Sequence, residues 1–189
     1  MSAELRFTIA DLELLPRIEG NRYEIIDGEL YVSTQPHWQH QLICSRLAHR
    51  FIAWDSEERE GLTITAPGII FAEDQAVAPD LVWISRERFS RVAEPDGKLH
   101  LAPDLVVEVL SPGNDNAERD RTLKLKLYSR QGVREYWIVD WREETIQVFR
   151  RQQAALELTA TLTSDDDLNS PLLAGFTCPV RDIFRLPAA

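Results

Sequence analysis

"LAPDLVVEVLSPG", residues 101–113, is apolar except for Asp104 and Glu108, and its first half echoes "VAPDLVWIS" at residues 77–85. Both runs are short, rich in Val, Leu and Ile, and flanked by turn formers, which is the signature of buried β-strands. Side chains alternate along a strand, so Asp104, Val106, Glu108 and Leu110 face one way and Leu105, Val107 and Val109 the other. The two carboxylates share a face but lie about 13 Å apart at ~3.3 Å per residue. That span is too long for one metal ion. If residues 79–85 and 103–110 pair antiparallel, the start of the first lies beside the end of the second, and Asp80 rather than Asp104 neighbours Glu108. Two carboxylates converging on an apolar sheet repel each other and call for a cation or a shared proton. Oxygen ligands of this kind suit Mg²⁺ or Mn²⁺.

The chain around these strands alternates between sheet and helix patterns. "FTIADLELLP" reads as a short helix, with Thr8 and Asp11 as caps and Pro16 as its stop. "RYEIIDGELYVST" predicts a hairpin, strands 22–26 and 29–34, turning on Asp27-Gly28. "PHWQHQLICSRLAHRFIAWDSEE" spaces Leu42, Ile43, Leu47, Phe51 and Trp54 for an amphipathic helix over about 37–55. "LTITAPGIIFA" and "PDLVWIS" are apolar strand segments, and a short helical turn and the Asp96-Gly97 turn follow. Asp115 and Glu118 form a capping-box pattern ahead of a helix over about 116–130, ended by Gly132. "VREYWIVD" and "TIQVFRR" predict a hairpin across residues 140–144, with "LELTATLT" as one more strand. The tail reads as loop with a final helical turn. With no linker and no long repeat, this order predicts one domain over 1–189, an α/β or mixed α+β sheet flanked by helices, with an added N-terminal hairpin.

The predicted crossover helix brings a cation into the argument. Ala117, Asp120, Lys124 and Tyr128 fall on one helical face, from which Lys124 could reach the end of the Glu108 strand and Tyr128 could support it. An ammonium there would orient a water or stabilise charge developing on a phosphate. Lys124 and Lys126 equally suit a solvated face.

A chain of 189 residues can bury roughly 70% of its unfolded surface without a disulfide. Its 44% hydrophobic and 28% charged composition is that of a globular protein. Cys44 and Cys178 match no metal or redox spacing, which predicts reduced, structural thiols in a cytoplasmic protein. The N-terminus lacks the pattern of a secretory signal, and no run approaches the ~20 apolar residues of a membrane span, so no membrane association is expected. A net charge of −10 argues against a broad electrostatic footprint on phosphate backbones. A nucleic-acid partner would require a local basic patch or a bound cation.

Taken in order, "YEIIDGEL", "HQLICSRL", "APDLVWIS", "APDLVVEVLSP", "DRTLKLKLY", "GVREYWIVD" and "SPLLAGF" resemble the Uma-type family of restriction-endonuclease-like proteins, within the PD-(D/E)XK nuclease superfamily. The resemblance runs from about residue 23 to 176. It implies a restriction-endonuclease-like mixed sheet flanked by helices and a Mg²⁺-dependent (or Mn²⁺-dependent) site for phosphodiester hydrolysis, with nucleic acid, DNA by analogy, as substrate. Asp80 then matches the Asp of the first acidic element and Glu108 the acidic residue of the second, both as metal ligands. Leu110 stands where the superfamily lysine belongs, and the resemblance assigns that role to Lys124 on the following helix. It also makes "YEIIDGEL" a site element, so that Glu24, or else Glu29, completes the metal shell; both equally suit an exposed hairpin end. His40 matches a family histidine at the start of its helix, a position that also suits capping or a core hydrogen bond. The rival expectation is a non-catalytic interaction module, as a homodimer or the partner of another protein, which Leu110 and the acidic charge favour.

Overall fold

The computed structural model describes residues 5–16, 18–92, 96–111 and 119–186. A first helix, α1 (Ile9–Leu14), starts where the Thr8 backbone N–H and hydroxyl both donate to Asp11 Oδ2, at 2.7 and 2.8 Å. The hairpin of β1 (Arg22–Ile26) and β2 (Glu29–Ser33) turns on Asp27-Gly28, with φ of 52° and 77°. Positive φ at both central residues is what a tight two-residue hairpin needs, and it is why this dipeptide predicts one. Helix α2 (Trp38–Trp54) buries His40, Ile43, Leu47 and Phe51 at the expected three- and four-residue spacing.

The order continues through β3 (Gly61–Thr65), β4 (Ile69–Ala72), β5 (Gln75–Val77), β6 (Leu81–Ser85), α3 (Arg86–Val92) and β7 (Leu105–Val109). A π-helical turn, Arg119–Lys124, then runs directly into α4 (Leu125–Gln131), which Gly132 ends with φ of 86°. After it come β8 (Glu135–Asp140), β9 (Thr145–Gln152), β10 (Ala155–Leu162), β11 (Asp167–Asn169), β12 (Thr177–Pro179) and α5 (Val180–Phe184).

Six of these strands form the central sheet, in the order β10-β9-β8-β7-β6-β3. Only β7 and β8 run parallel within it, Leu105 beside Glu135 through Val109 beside Val139. A parallel neighbour demands a crossover connection, and the stretch carrying the π-turn and α4 supplies it. β6 and β7 pair antiparallel with Leu81 opposite Val107, the register the sequence predicts. A second, four-stranded sheet, β2-β1-β5-β4, extends the N-terminal hairpin, and β11 pairs with β12.

Each face of the central sheet carries its own core. Leu105, Val107 and Val109 face α2 and the C-terminal segment, packing with Leu47, Phe51, Phe176 and Ile183. Val106 and Leu110 face the other way, with Ile26 and Val77 of the second sheet and Leu127 and Tyr128 of α4. The alternation read from "LVVEVL" therefore divides the molecule into its layers.

Several segments depart from the sequence reading. "LTITAPGIIFA" holds two strands in different sheets, because Ala66 (φ 48°) and the Pro67-Gly68 pair bend the chain between β3 and β4. β5 is only three residues long, below the length at which alternation registers. The tail forms the β11–β12 pair before its helical turn. The predicted helix over 116–130 is described only from Arg119, and its first six residues take the wider π geometry. Asp115, Ala117 and Glu118 lie outside the described residues. Cys44 and Cys178 are free and buried. Among the described residues, no helix is long and apolar enough to cross a membrane.

Asp104 pins the far end of β7. It is 1% exposed, accepts the Ser85 backbone N–H at 2.9 Å, and pairs with Arg134 at 3.1 Å and Arg88 at 3.6 Å. Replacing it with alanine leaves a buried N–H without an acceptor, a loss of about 2 kcal/mol. Urea denaturation of Asp104→Ala is expected to show that loss, with the chemistry at the other end of β7 unaltered.

Candidate active site

At the opposite end of β7, side chains from four elements converge. Glu108 is 2% exposed and points from β7 toward the crossover helix. Its Oε1 accepts from Lys124 Nζ and from the Tyr128 hydroxyl, both at 2.9 Å. Lys124 is 1% exposed, and its ammonium also lies 3.0 Å from Glu24 Oε1 and 3.4 Å from Asp120 Oδ1. Glu24 comes from β1 and is fixed by the Ala78 backbone N–H at 2.9 Å. Arg119 closes this side, 3.8 Å from Glu24 and 3.5 Å from Asp120, with its guanidinium 5.7 Å from the Tyr31 ring centroid.

Asp80, one residue ahead of β6, forms the second half of the cluster. Its Oδ2 accepts the Val109 backbone N–H at 2.9 Å, which fastens it beside Glu108 on the neighbouring strand. His40 Nε2 lies 3.1 Å from the same oxygen, and Arg22 donates to Oδ1 at 3.1 Å. Behind His40, the Cys44 thiol lies 3.6 Å from Nδ1. Ligand atoms of His40, Cys44 and Asp80 all fall within 4.8 Å of one another. Burial, followed by the nearby Asp80 and Glu108 carboxylates, pushes the Cys44 thiol well above its ordinary range. A thiol held neutral is a poor metal ligand, so the three residues read as a row of polar contacts behind Asp80, with Nε2–H donating to the carboxylate.

Of the residues singled out in the sequence, Asp80, Glu108, Lys124, Glu24, His40 and Tyr128 meet here. Glu29 does not: it is exposed at the hairpin end and accepts the Tyr31 hydroxyl at 2.7 Å. Arg22 and Arg119 carried no signal in the sequence except that Arg22 shares its strand face with Glu24. Asp120, on the helical face that the spacing gives to Lys124 and Tyr128, is 3% exposed within the cluster.

Asp80, Glu108, Lys124 and His40 line a cavity of about 240 Å³, together with Arg22 and Arg119. A larger cleft of about 390 Å³ lies around Asp104, Arg88 and Arg134. There the buried carboxylate is already matched by two guanidinium groups, as the strand-end pin requires.

Crowding four buried carboxylates splits their proton affinities. Burial, with Asp120, Asp80 and Glu24 adding repulsion against the pull of Lys124, pushes Glu108 up to about 8. Burial likewise raises Asp120, against Lys124 and Arg119. For Asp80, burial is outweighed by the hydrogen bond and charge of His40, by Arg22 and by the Val109 N–H, which bring it down to about 2. Lys124 and Arg119 similarly overcome burial at Glu24 and hold it low. The cluster thus keeps two firm carboxylates and a proton available on the Glu108 side.

A mixed sheet flanked by helices, with acidic groups at the ends of two adjacent strands, defines the restriction-endonuclease-like class. The chain belongs to the Uma2 family, described as "Putative restriction endonuclease", whose family model matches residues 9–181. A crystal structure from Anabaena variabilis ATCC 29413, described as "a putative nuclease belonging to DUF820", superposes with a TM-score of 0.75 at 23% identity. That match covers 94% of this chain and 97% of the other, and at this identity it speaks for the fold. No curated protein matches.

The opposed shifts give opposed pH dependences of stability. Between 4.5 and about 8 the folded Glu108 holds a proton that the unfolded chain releases, so its contribution falls as pH rises through that window. Asp80 contributes stability above 3.8 that is lost as pH falls toward about 2. Urea midpoints measured across pH are expected to show a shallower decline between pH 5 and 8 for Glu108→Gln, and a shallower acid limb for Asp80→Asn. A wild-type slope in Glu108→Gln would mean that the proton resides elsewhere.

Proposed function

We propose that this chain is a Mg²⁺- or Mn²⁺-dependent phosphodiesterase that hydrolyses nucleic acid, with Asp80 and Glu108 as metal ligands and Lys124 as the positioning cation. The observation that carries the reading is the meeting of Asp80, Glu108 and Lys124 in one buried polar cavity, from the facing ends of two adjacent strands and the crossover that follows the second. The donor set fits such an ion. It is made of hard carboxylate oxygens, and buried Asp120 Oδ1 makes no well-formed hydrogen bond, with Lys124 and Arg119 3.4 and 3.5 Å away. When bound, a divalent ion there supplies Lewis-acid polarisation of a phosphoryl oxygen and a lowered pKa for water.

The remaining chemistry belongs to the side chains. His40, Arg22 and the Val109 N–H hold Asp80 ionised and oriented. Lys124, Arg119 and Arg22 place positive charge where a phosphate enters the cavity and where negative charge grows during in-line displacement. Tyr128 fixes Glu108 from beneath, so that the carboxylate presents a set geometry. Glu108 must lose its proton to become a ligand, so metal affinity rises with pH toward about 8.

Calorimetric titration with Mg²⁺ and Mn²⁺ is expected to show binding to the wild type that tightens from pH 6 to 8, and that Asp80→Ala and Glu108→Ala each abolish. Cleavage of a labelled polynucleotide is expected to follow the same order, with Lys124→Met at least ~100-fold slower per folded molecule, the folded fraction being read by circular dichroism. Metal binding indistinguishable among wild type and both carboxylate variants would end the phosphodiesterase reading.

A further inference from the structure

An aromatic ledge adjoins the polar cavity. The cavity wall passes through Gln35 and Pro36 and resumes at His40; between them, His37 and Trp38 stand exposed. His37 stacks on Trp141 with ring centroids 5.1 Å apart and planes 7° from parallel, and lies 5.6 Å from Trp38 at 35°. Trp141 is anchored beside the site because its indole N–H donates to the Leu110 carbonyl at 2.9 Å, next to Ser111 in the cavity wall. Three rings therefore lead away from the cavity. Trp38, the outermost, is 60% exposed and belongs to neither core.

We infer that this ledge stacks unpaired bases and that the polymer taken at this site is a single polynucleotide strand, with its phosphate in the cavity and its neighbouring bases on His37 and Trp38. The inference rests on the nucleic-acid reading above and narrows it. Arg22, Arg119 and Lys124 line the cavity alongside Asp80, Glu108 and Asp120, and of the three cations Arg22, with 31% of its side chain exposed, is the one placed to meet an entering phosphate. In a duplex the faces of the bases are already stacked on one another, so only an unpaired base can use an exposed ring. A chain of net charge −10 also lacks the broad basic surface that duplex binding draws on. A single strand can instead be held by stacking on aromatic rings beside one accessible guanidinium such as Arg22.

The test reads binding alone, in chelator and at low salt, by fluorescence anisotropy of a labelled short oligothymidylate, its ribose counterpart, and a duplex of the same length. The wild type is expected to prefer a single strand to the duplex. Trp38→Ala is expected to weaken that binding roughly 5- to 150-fold, the loss of one stacked base, while Trp38→Phe retains most of it. Equal or tighter duplex binding, no binding of any strand, or an unchanged affinity in Trp38→Ala would overturn the inference. So would Trp38→Ala leaving binding intact while converting a dimer to a monomer in light scattering, which would make the ledge a contact between copies. Stacking lost in Trp38→Ala without Mg²⁺-dependent cleavage by the wild type would sink the phosphodiesterase reading and leave this one standing. Metal-dependent cleavage of duplex and single strand alike, at the same rate in wild type and Trp38→Ala, would do the reverse.

Discussion

An ammonium group taken almost wholly out of water organises this molecule. Lys124 retains its charge at 1% exposure only because Glu24, Glu108 and Asp120 surround it, and each of those carboxylates is tolerable in turn because the lysine is there. The ties run between the N-terminal hairpin, the central sheet and the crossover helix. An apolar filling of the same space would hold the layers together at least as well, so stability alone does not explain the choice. What the charged version provides is a set of polar groups with fixed positions and unequal proton affinities, which an apolar core lacks.

Much of this was legible in the sequence because it depends on local rules. Asp27-Gly28 fixed one hairpin through the φ values it tolerates, and the "LVVEVL" alternation gave both the strand and the facing of Glu108. Antiparallel register placed Asp80, rather than the nearer Asp104, beside Glu108, and helical spacing placed Lys124 and Tyr128 over the strand end. The residues missed are those whose roles depend on distant packing. Arg22 reaches Asp80 from a separate sheet, and Arg119 sits in a π-turn, which has no sequence signature in this stretch. β5 and the β11–β12 pair are too short to impose a period, and Ala66 adopts its positive φ because of the chain around it.

Leu110 shows what packing requires two residues beyond Glu108. It is 0% exposed and packs with Val106, Leu127 and Tyr128, so a lysine there would have to bury its charge within an apolar layer. Lys124 reaches Glu108 from the crossover instead. The backbone position changes, but the distance between ammonium and carboxylate, 2.9 Å, is that of a direct ion pair.

The single parallel pairing in the central sheet has a further consequence, for the order of folding. Antiparallel neighbours such as β8 and β9 can close through a short turn, whereas β7 and β8 come together only after the whole crossover has been traversed. Glu24 and Lys124 are further apart still along the chain, so their contact carries one of the larger loop-closure costs in the fold. A chain that has made β1 through β7 already carries Asp80 with its partners Arg22 and His40, but lacks the ammonium that Glu24 and Glu108 share. The Glu24–Glu108–Lys124 half of the polar cluster can therefore close only once the crossover is in place.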